Sequence, residues 1–239
     1  MQTAIYKRDL VSFFNNKTAY IIFVVYSLLS SVMAFFWGDF FTTYNSSMSS
    51  FFVFQPNILA IIIPAIAMRS WADEKRSGTV ENLLTFPLSN LNLTVSKFVA
   101  VFSISLIMIL FSLPLLITSA IYIPIDYGSV LCSYIALLLT SMVLSAYCCL
   151  VSSLVATPAV AYLLGLLGGV LWTNFSFGNI KTSLCHNAPF YFDGILNFSN
   201  NYQNFLNGQL NFYSLIYFIS LAFLLLFYNF LVVENWRAR

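Results

Sequence analysis

The run Phe51-Phe-Val-Phe-Gln-Pro-Asn-Ile-Leu-Ala-Ile-Ile-Ile-Pro-Ala-Ile-Ala-Met68 leads directly into Arg69-Ser-Trp-Ala-Asp-Glu-Lys-Arg-Ser-Gly-Thr-Val-Glu-Asn-Leu-Leu-Thr-Phe-Pro87. The first stretch carries no charge, and as a helix it nearly matches the roughly 30 Å hydrocarbon core of a bilayer at about 1.5 Å per residue. The second is a charged island in a chain with almost no other charge, and it stays in water.

Composition puts the whole chain in the same class. Hydrophobic residues are 60% and charged residues 8% of the 239, whereas soluble domains carry roughly a quarter charged residues. This composition defines an integral membrane protein. Six stretches run for about the length of a span without a charge: Ala19–Trp37, Phe51–Met68, Phe98–Ile123, Val130–Val151, Ala156–Thr173 and Phe212–Val233. Unpaired backbone amides are too costly in lipid for irregular crossings, so each stretch is expected to be a helix. The boundary between the fourth and fifth rests on Pro158 and the small polar residues of Ser152-Ser-Leu-Val-Ala-Thr-Pro158.

Lys and Arg near span ends set orientation. In a six-span arrangement Lys7, Arg8, Lys17, Arg69, Lys75, Arg76, Lys97, Arg237 and Arg239 fall on one side, and the other holds Lys181 with Asp39, Asp126 and Asp193. The basic side is therefore expected to be cytoplasmic, with both termini there, and the net charge of +2 expresses this asymmetry rather than affinity for nucleic acid. The first apolar run is of span length and lacks a small-residue cleavage site, so it is expected to remain as an uncleaved helix.

Three segments are neither span nor tight turn. In residues 1–18, Tyr6, Leu10, Phe13 and Phe14 recur at helical spacing among polar residues, which predicts an amphipathic helix in the membrane surface. It serves either as an anchor or as a lever leading into the first span. In residues 69–97, Ser77-Gly78 is expected to break the helix that carries the second span outward. Thr79 can cap a new one, and Glu81 sits in its first turn, where the dipole favours an acid. Val80, Leu83, Leu84 and Phe86 give this short helix an apolar face, and Pro87 ends it. Such a helix is suited to docking, since a loop that only fixed topology would have no use for Leu83, Leu84 and Phe86. Glu81 either meets a basic group on a partner or pairs with Arg76 or caps the helix. In residues 174–211, Tyr191, Ile195, Leu196, Phe198, Tyr202, Phe205 and Leu206 recur every three to four residues. That spacing predicts re-entrant or interfacial helices before the last span, acting as a lid or as an aromatic belt.

At the island the chain resembles a known family. Ala72-Asp-Glu-Lys-Arg-Ser-Gly-Thr-Val-Glu-Asn-Leu-Leu-Thr-Phe-Pro-Leu-Ser89, followed by Lys97-Phe-Val-Ala100, is similar to the loop after the second span in permease subunits of the type-two ATP-binding-cassette exporter family. It looks in particular like the gliding-motility permease branch, with Ser96-Lys97 where that pattern has Gly-Lys. Lys7-Arg-Asp-Leu-Val-Ser-Phe-Phe-Asn-Asn-Lys-Thr-Ala-Tyr-Ile21 resembles the family's leading amphipathic helix, and Ser152–Ala161 its link between the fourth and fifth spans, without the polar or acidic residue that the family carries near Val155 or Ala156.

The resemblance implies an all-α, single-domain permease over residues 1–239, in a bacterial cytoplasmic membrane. It would pair with a second copy or a related chain and couple to a separate cytoplasmic ATPase through Arg76, Gly78, Thr79, Glu81, Leu83, Leu84, Phe86 and Pro87. ATP and magnesium are expected on that partner, because this chain contains no phosphate-binding G-x-x-x-x-G-K-[ST] loop. An exporter is the leading expectation, and a membrane scaffold or mechanical transmitter driven by the same kind of ATPase is the alternative.

Other chemistries find little support. The expected spans hold no acid or base at depth, which disfavours proton or sodium coupling, and they lack the convergent groups of an intramembrane enzyme. One histidine, His186, beside Cys185 does not make a metal site. Cys132, Cys148 and Cys149 lie in expected spans and act as small hydrophobes. Gly165 and Gly169, with Gly168 alongside, form a G-x-x-x-G face suited to close helix packing, within one subunit or across a dimer.

Overall fold

A computed structural model describes residues 2–33, 49–80, 89–122, 126–174 and 197–237, all of the regular elements among them helical. In chain order these are α1 (Gln2–Phe14), α2 (Lys17–Val32), α3 (Ser49–Arg76), α4 (Asn90–Leu110), α5 (Leu113–Tyr122), α6 (Tyr127–Leu154), α7 (Pro158–Asn174), α8 (Phe198–Leu206) and α9 (Phe212–Arg237). Four stretches are long and apolar enough to cross a membrane: Phe51–Arg76, Asn90–Thr118, Tyr127–Leu154 and Phe212–Trp236. The apolar helices Lys17–Val32 and Pro158–Asn174 are shorter, so among the described residues four of the six expected spans reach full length.

Local chemistry explains where the helices start and stop. Asn16 caps α2, its side chain accepting from the Thr18 amide at 3.3 Å, so the leading helix ends at Asn15-Asn16 and Lys17 already belongs to the next one. Pro158 opens α7 at the first helical position, where a missing N–H costs nothing. The expected third span, 98–123, begins earlier and is interrupted: α4 starts at Asn90 behind its Ser89 cap and stops at Leu110. Pro114 has no amide for the Leu110 carbonyl and its ring would crowd that oxygen, so the chain turns at Phe111-Ser112 and resumes as α5. The second span also runs on past Met68. Residues 69–76 continue it as helix up to the break expected at Ser77-Gly78, and α3 runs through both Pro56 and Pro64.

α3 is the axis of the bundle and packs most extensively on α6 and α7. The glycine face of α7 makes that approach possible. A Cβ on Gly165 would stand 3.1 Å from the Pro64 side chain, and one on Gly169 would stand 3.4 Å from Ala60. The space beside Gly168 is filled by the Tyr147 ring, whose hydroxyl donates to the Leu164 carbonyl at 3.1 Å and lies 1.9 Å from where a Cβ would be. All three glycines are thus in contact with their own chain.

At the end of the bundle opposite the island, α8 lays Phe198, Tyr202 and Phe205 into the core. The Tyr202 hydroxyl donates to the Phe52 carbonyl at 2.7 Å, and the Phe198 ring meets Trp172 at a tilt of 53° with centroids 4.6 Å apart. Tyr191, Ile195 and Leu196 of the expected outer helices, with Cys185 and His186, lie outside the described residues.

The tight α3–α7 seam has a measurable consequence. Gly165→Leu overfills it at a cost of about 1–3 kcal/mol, which should lower the thermal unfolding midpoint in detergent. Gly168→Ala should also lower it, because the Tyr147 ring must swing aside and give up its bond to Leu164. An unchanged midpoint in Gly165→Leu would contradict the packing.

Candidate coupling site

The charged island is built on the end of α3. Ser77 and Gly78 turn the chain out of the helix, Gly78 having φ 71°, a conformation that suits glycine. The Ser77 hydroxyl donates to the Asp73 carbonyl at 2.9 Å, and the Thr79 hydroxyl donates to the Glu74 carbonyl at 3.3 Å. With the Gly78 amide donating to the Lys75 carbonyl at 3.2 Å, these bonds occupy carbonyls in the last turn of α3. Helical backbone already begins at Thr79, so Thr79 lies inside the new turn and directs its hydroxyl back to α3, while the amides it was expected to cap lie outside the described residues. Arg76 is exposed, and among the described residues it has no ion pair. Glu81, Leu83, Leu84, Phe86 and Pro87 lie outside the described residues.

Below this turn sits a cluster that sequence reasoning did not single out. Lys97, one of the basic residues used to set orientation, is 1% exposed, and its ammonium meets Glu74 Oε2 at 2.7 Å and Asp9 Oδ2 at 3.8 Å. Arg8, half exposed, bridges the same two acids, at 2.7 Å to Glu74 and 2.9 Å to Asp9. The network therefore ties α1, α3 and α4 at one point. Partial burial opposes the charge of Arg8, but Asp9 and Glu74 outweigh it, and the guanidinium pKa is raised above its ordinary value. Lys97 also donates to the Ser70 carbonyl and lies 4.7 Å from the Trp71 ring centroid. The sequence carried no signal for this, since the expected span began at Phe98; with α4 starting at Asn90, Lys97 stands two turns inside the helix, and its burial requires a partner.

A second tie joins α3 to the far end of α6. The Ser152 hydroxyl accepts from the Trp71 and Ala72 amides at 3.1 and 3.2 Å and donates to the Met68 carbonyl at 3.3 Å, which inserts it into the hydrogen-bond ladder of α3. Lys75 donates to the Ser153 carbonyl, and its ammonium stands 4.0 Å from the Trp236 ring centroid. Trp71 and Trp236 meet edge to face at 5.4 Å, which draws the end of α9 into the same assembly. On the other side of the island, α1 lies along α4, where Tyr6 donates to Ser103 at 3.1 Å, and Leu10, Phe13 and Phe14 pack on the core.

The arrangement fastens α1, α4, α6 and α9 to the last turns of α3. The long apolar helices define a multi-pass helical membrane protein. The chain belongs to the ABC-2 family of transporters: the family model described as ABC-2 family transporter protein matches residues 12–176. Members of this permease family lack the ATPase domain, and membership implies a partner ATP-binding-cassette ATPase. No curated protein matches the chain.

Because Lys97 is buried, the pair with Glu74 should respond to mutation as buried pairs do. Glu74→Leu strands the ammonium and should cost about 3–5 kcal/mol, whereas Glu74→Leu with Lys97→Met should cost far less. Arg8→Ala, at a half-exposed position, should cost no more than about 1 kcal/mol. A double-mutant cycle on thermal unfolding in detergent reads these differences, and equal losses for Glu74→Leu and Arg8→Ala would refute the clamp.

Proposed function

We propose that the chain is the membrane-spanning subunit of an ATP-driven exporter of the gliding-motility permease branch. Six helices cross a bacterial cytoplasmic membrane with both termini inside, α2 and α7 supplying the two shorter crossings. Two permeases, identical or related, pair beside two cytoplasmic ATPase subunits, and each sets its Thr79–Phe86 helix into a cleft of one ATPase. Glu81 meets a basic group of that cleft, Leu83, Leu84 and Phe86 fill it, and Arg76 and Pro87 frame it.

The observation that carries this reading is the arm itself. α3 runs as one 28-residue helix from Ser49 to Arg76, a rod about 42 Å long, and delivers the Gly78 turn to its tip. ATP-driven closure of the ATPases would pull the docked helices toward each other and swing the rods. Since Glu74 and Ser152 fasten the rod to α1, α4 and α6, the pull reaches the whole bundle and changes the side to which the central path opens. The free energy for the swing is the difference in ATP affinity between open and closed states.

In the reconstituted permease–ATPase complex, Glu81→Lys should leave insertion and folding intact while reducing permease-stimulated ATP hydrolysis at least about tenfold, the loss typical of an interface hot spot. Phe86→Ala should act in the same direction. Undiminished stimulation in Glu81→Lys, or labelling of a cysteine at position 83 from the outer face, would overturn the docking model. Export into sealed vesicles separates a transporter from a mechanical transmitter, since both hydrolyse ATP and only the first moves a solute.

A further inference from the structure

A cleft of about 330 Å³ opens between α1, α3 and α4 beside the ion-pair network, within the roughly 300–1,000 Å³ range of small-molecule sites. Its wall changes character along its depth. Arg8 and Asp73 are exposed at one end, and buried Ile66 and Ile104 stand at the other, where α3 and its neighbour α4 have run about 10 Å further into the bundle. Phe13 of α1 closes one side. A cleft with a charged mouth and an apolar floor, beside a membrane-spanning helix, has the polarity of a lipid turned headgroup outward.

The charges left unpaired in the wall narrow the choice. Arg8 and Lys97 are neutralised by Asp9 and Glu74. Among the described residues Arg69 has no carboxylate within ion-pair distance; its guanidinium donates only to the Thr18 hydroxyl, at 3.1 Å, and keeps its remaining donors. Asp73 has neither an ion pair nor a side-chain hydrogen bond among the described residues. The two lie four residues apart on one face of α3, separated by about 6 Å along its axis, with Arg69 on the membrane side. A cation below and an anion above mirror a zwitterionic headgroup, in which the phosphate sits nearer the acyl chains and the amine nearer water.

We propose that this cleft binds one bilayer glycerophospholipid bearing a primary ammonium headgroup, of the phosphatidylethanolamine type. The phosphodiester accepts from Arg69, the ammonium donates to Asp73, and an acyl chain runs along Ile66 and Ile104. A quaternary choline head has no N–H to give Asp73, and the cleft offers Phe13 alone where such groups need an aromatic cage. An anionic glycerol head would leave Asp73 unpaired beside Asp9 and Glu74. The bound lipid links α1 to the base of the arm, and it does so whether or not residues 79–86 dock on an ATPase.

The test is native mass spectrometry of the full-length permease released from nanodiscs containing equal parts of phosphatidylethanolamine, phosphatidylcholine and phosphatidylglycerol. Wild type should retain phosphatidylethanolamine above both others. Arg69→Met should reduce total retained lipid by about tenfold, the loss of a charge-assisted hydrogen bond, and Asp73→Asn should erase the preference for ethanolamine over choline. Wild-type protein alone provides a second reading, free of any folding defect in the variants: its unfolding midpoint in detergent should rise with added phosphatidylethanolamine and not with phosphatidylcholine, inorganic phosphate or soluble phosphoethanolamine. Indiscriminate retention, retention unaffected by Arg69→Met, or equal stabilisation by the soluble phosphates would each overturn the proposal.

Discussion

A lysine without exposure must be paired, and the pairing of Lys97 with Glu74 is the constraint around which this end of the bundle is arranged. Moving an ammonium out of water costs several kcal/mol unless a carboxylate and further acceptors replace the lost hydration. Glu74, Asp9, the Ser70 carbonyl and the Trp71 ring supply that replacement, and they do so from two other helices. Once the charge is accommodated, α1, α3 and α4 are held in one register. The last turns of α3, with Trp71 and Ala72 fully buried, are thereby held against their neighbours up to the turn at Gly78.

The rest of the packing extends this brace. Gly165 and Gly169 let α7 lie directly on the Pro64 and Ala60 side of α3, and Ser152 enters the α3 ladder where it emerges from the core. These contacts rely on small side chains and on hydroxyls that reach backbone, which suits a membrane setting in which burying apolar surface between helices gains little over burying it in lipid. Toward the other end, Asn57 accepts from both Thr173 and Asn174 at 2.9 Å, and Tyr26 donates to Gln55 at 3.1 Å. α3 is thus fastened along its length by polar bonds and close contacts, consistent with a part that moves as a unit.

How much of this was legible in the sequence follows from the range of each interaction. Helix starts and stops depend on residues a few positions apart, so Gly78, Pro158 and the amphipathic pattern of Tyr6, Leu10, Phe13 and Phe14 could be read directly. The interruption of α4 was only half visible, because Pro114 signals a bend but the turn at Phe111-Ser112 also depends on Ser112 reaching the Ile109 carbonyl at 2.7 Å and lying 3.1 Å from the Tyr134 hydroxyl. The network was not legible. Arg8, Glu74 and Lys97 lie far apart in the chain, and each taken alone reads as one more basic or acidic residue at the inner end of a span. Counting Lys97 toward topology gave a use for its charge and concealed that the charge was buried.

The two ends of α4 complete the mechanical argument. Its N-terminal part is held by Lys97, while its C-terminal end gives way at Phe111-Ser112, where Pro114 removes the amide that would have continued the ladder. A helix clamped at one end and broken at the other transmits displacement from the clamp and absorbs it at the break. α3 has no such interruption between Ser49 and Arg76. Under the proposed coupling, a pull at Gly78 therefore reaches the outer half of the bundle through α3 and the α7 face packed on it. The crossing formed by α4 and α5 can change its angle at Ser112 without breaking the contacts around Glu74.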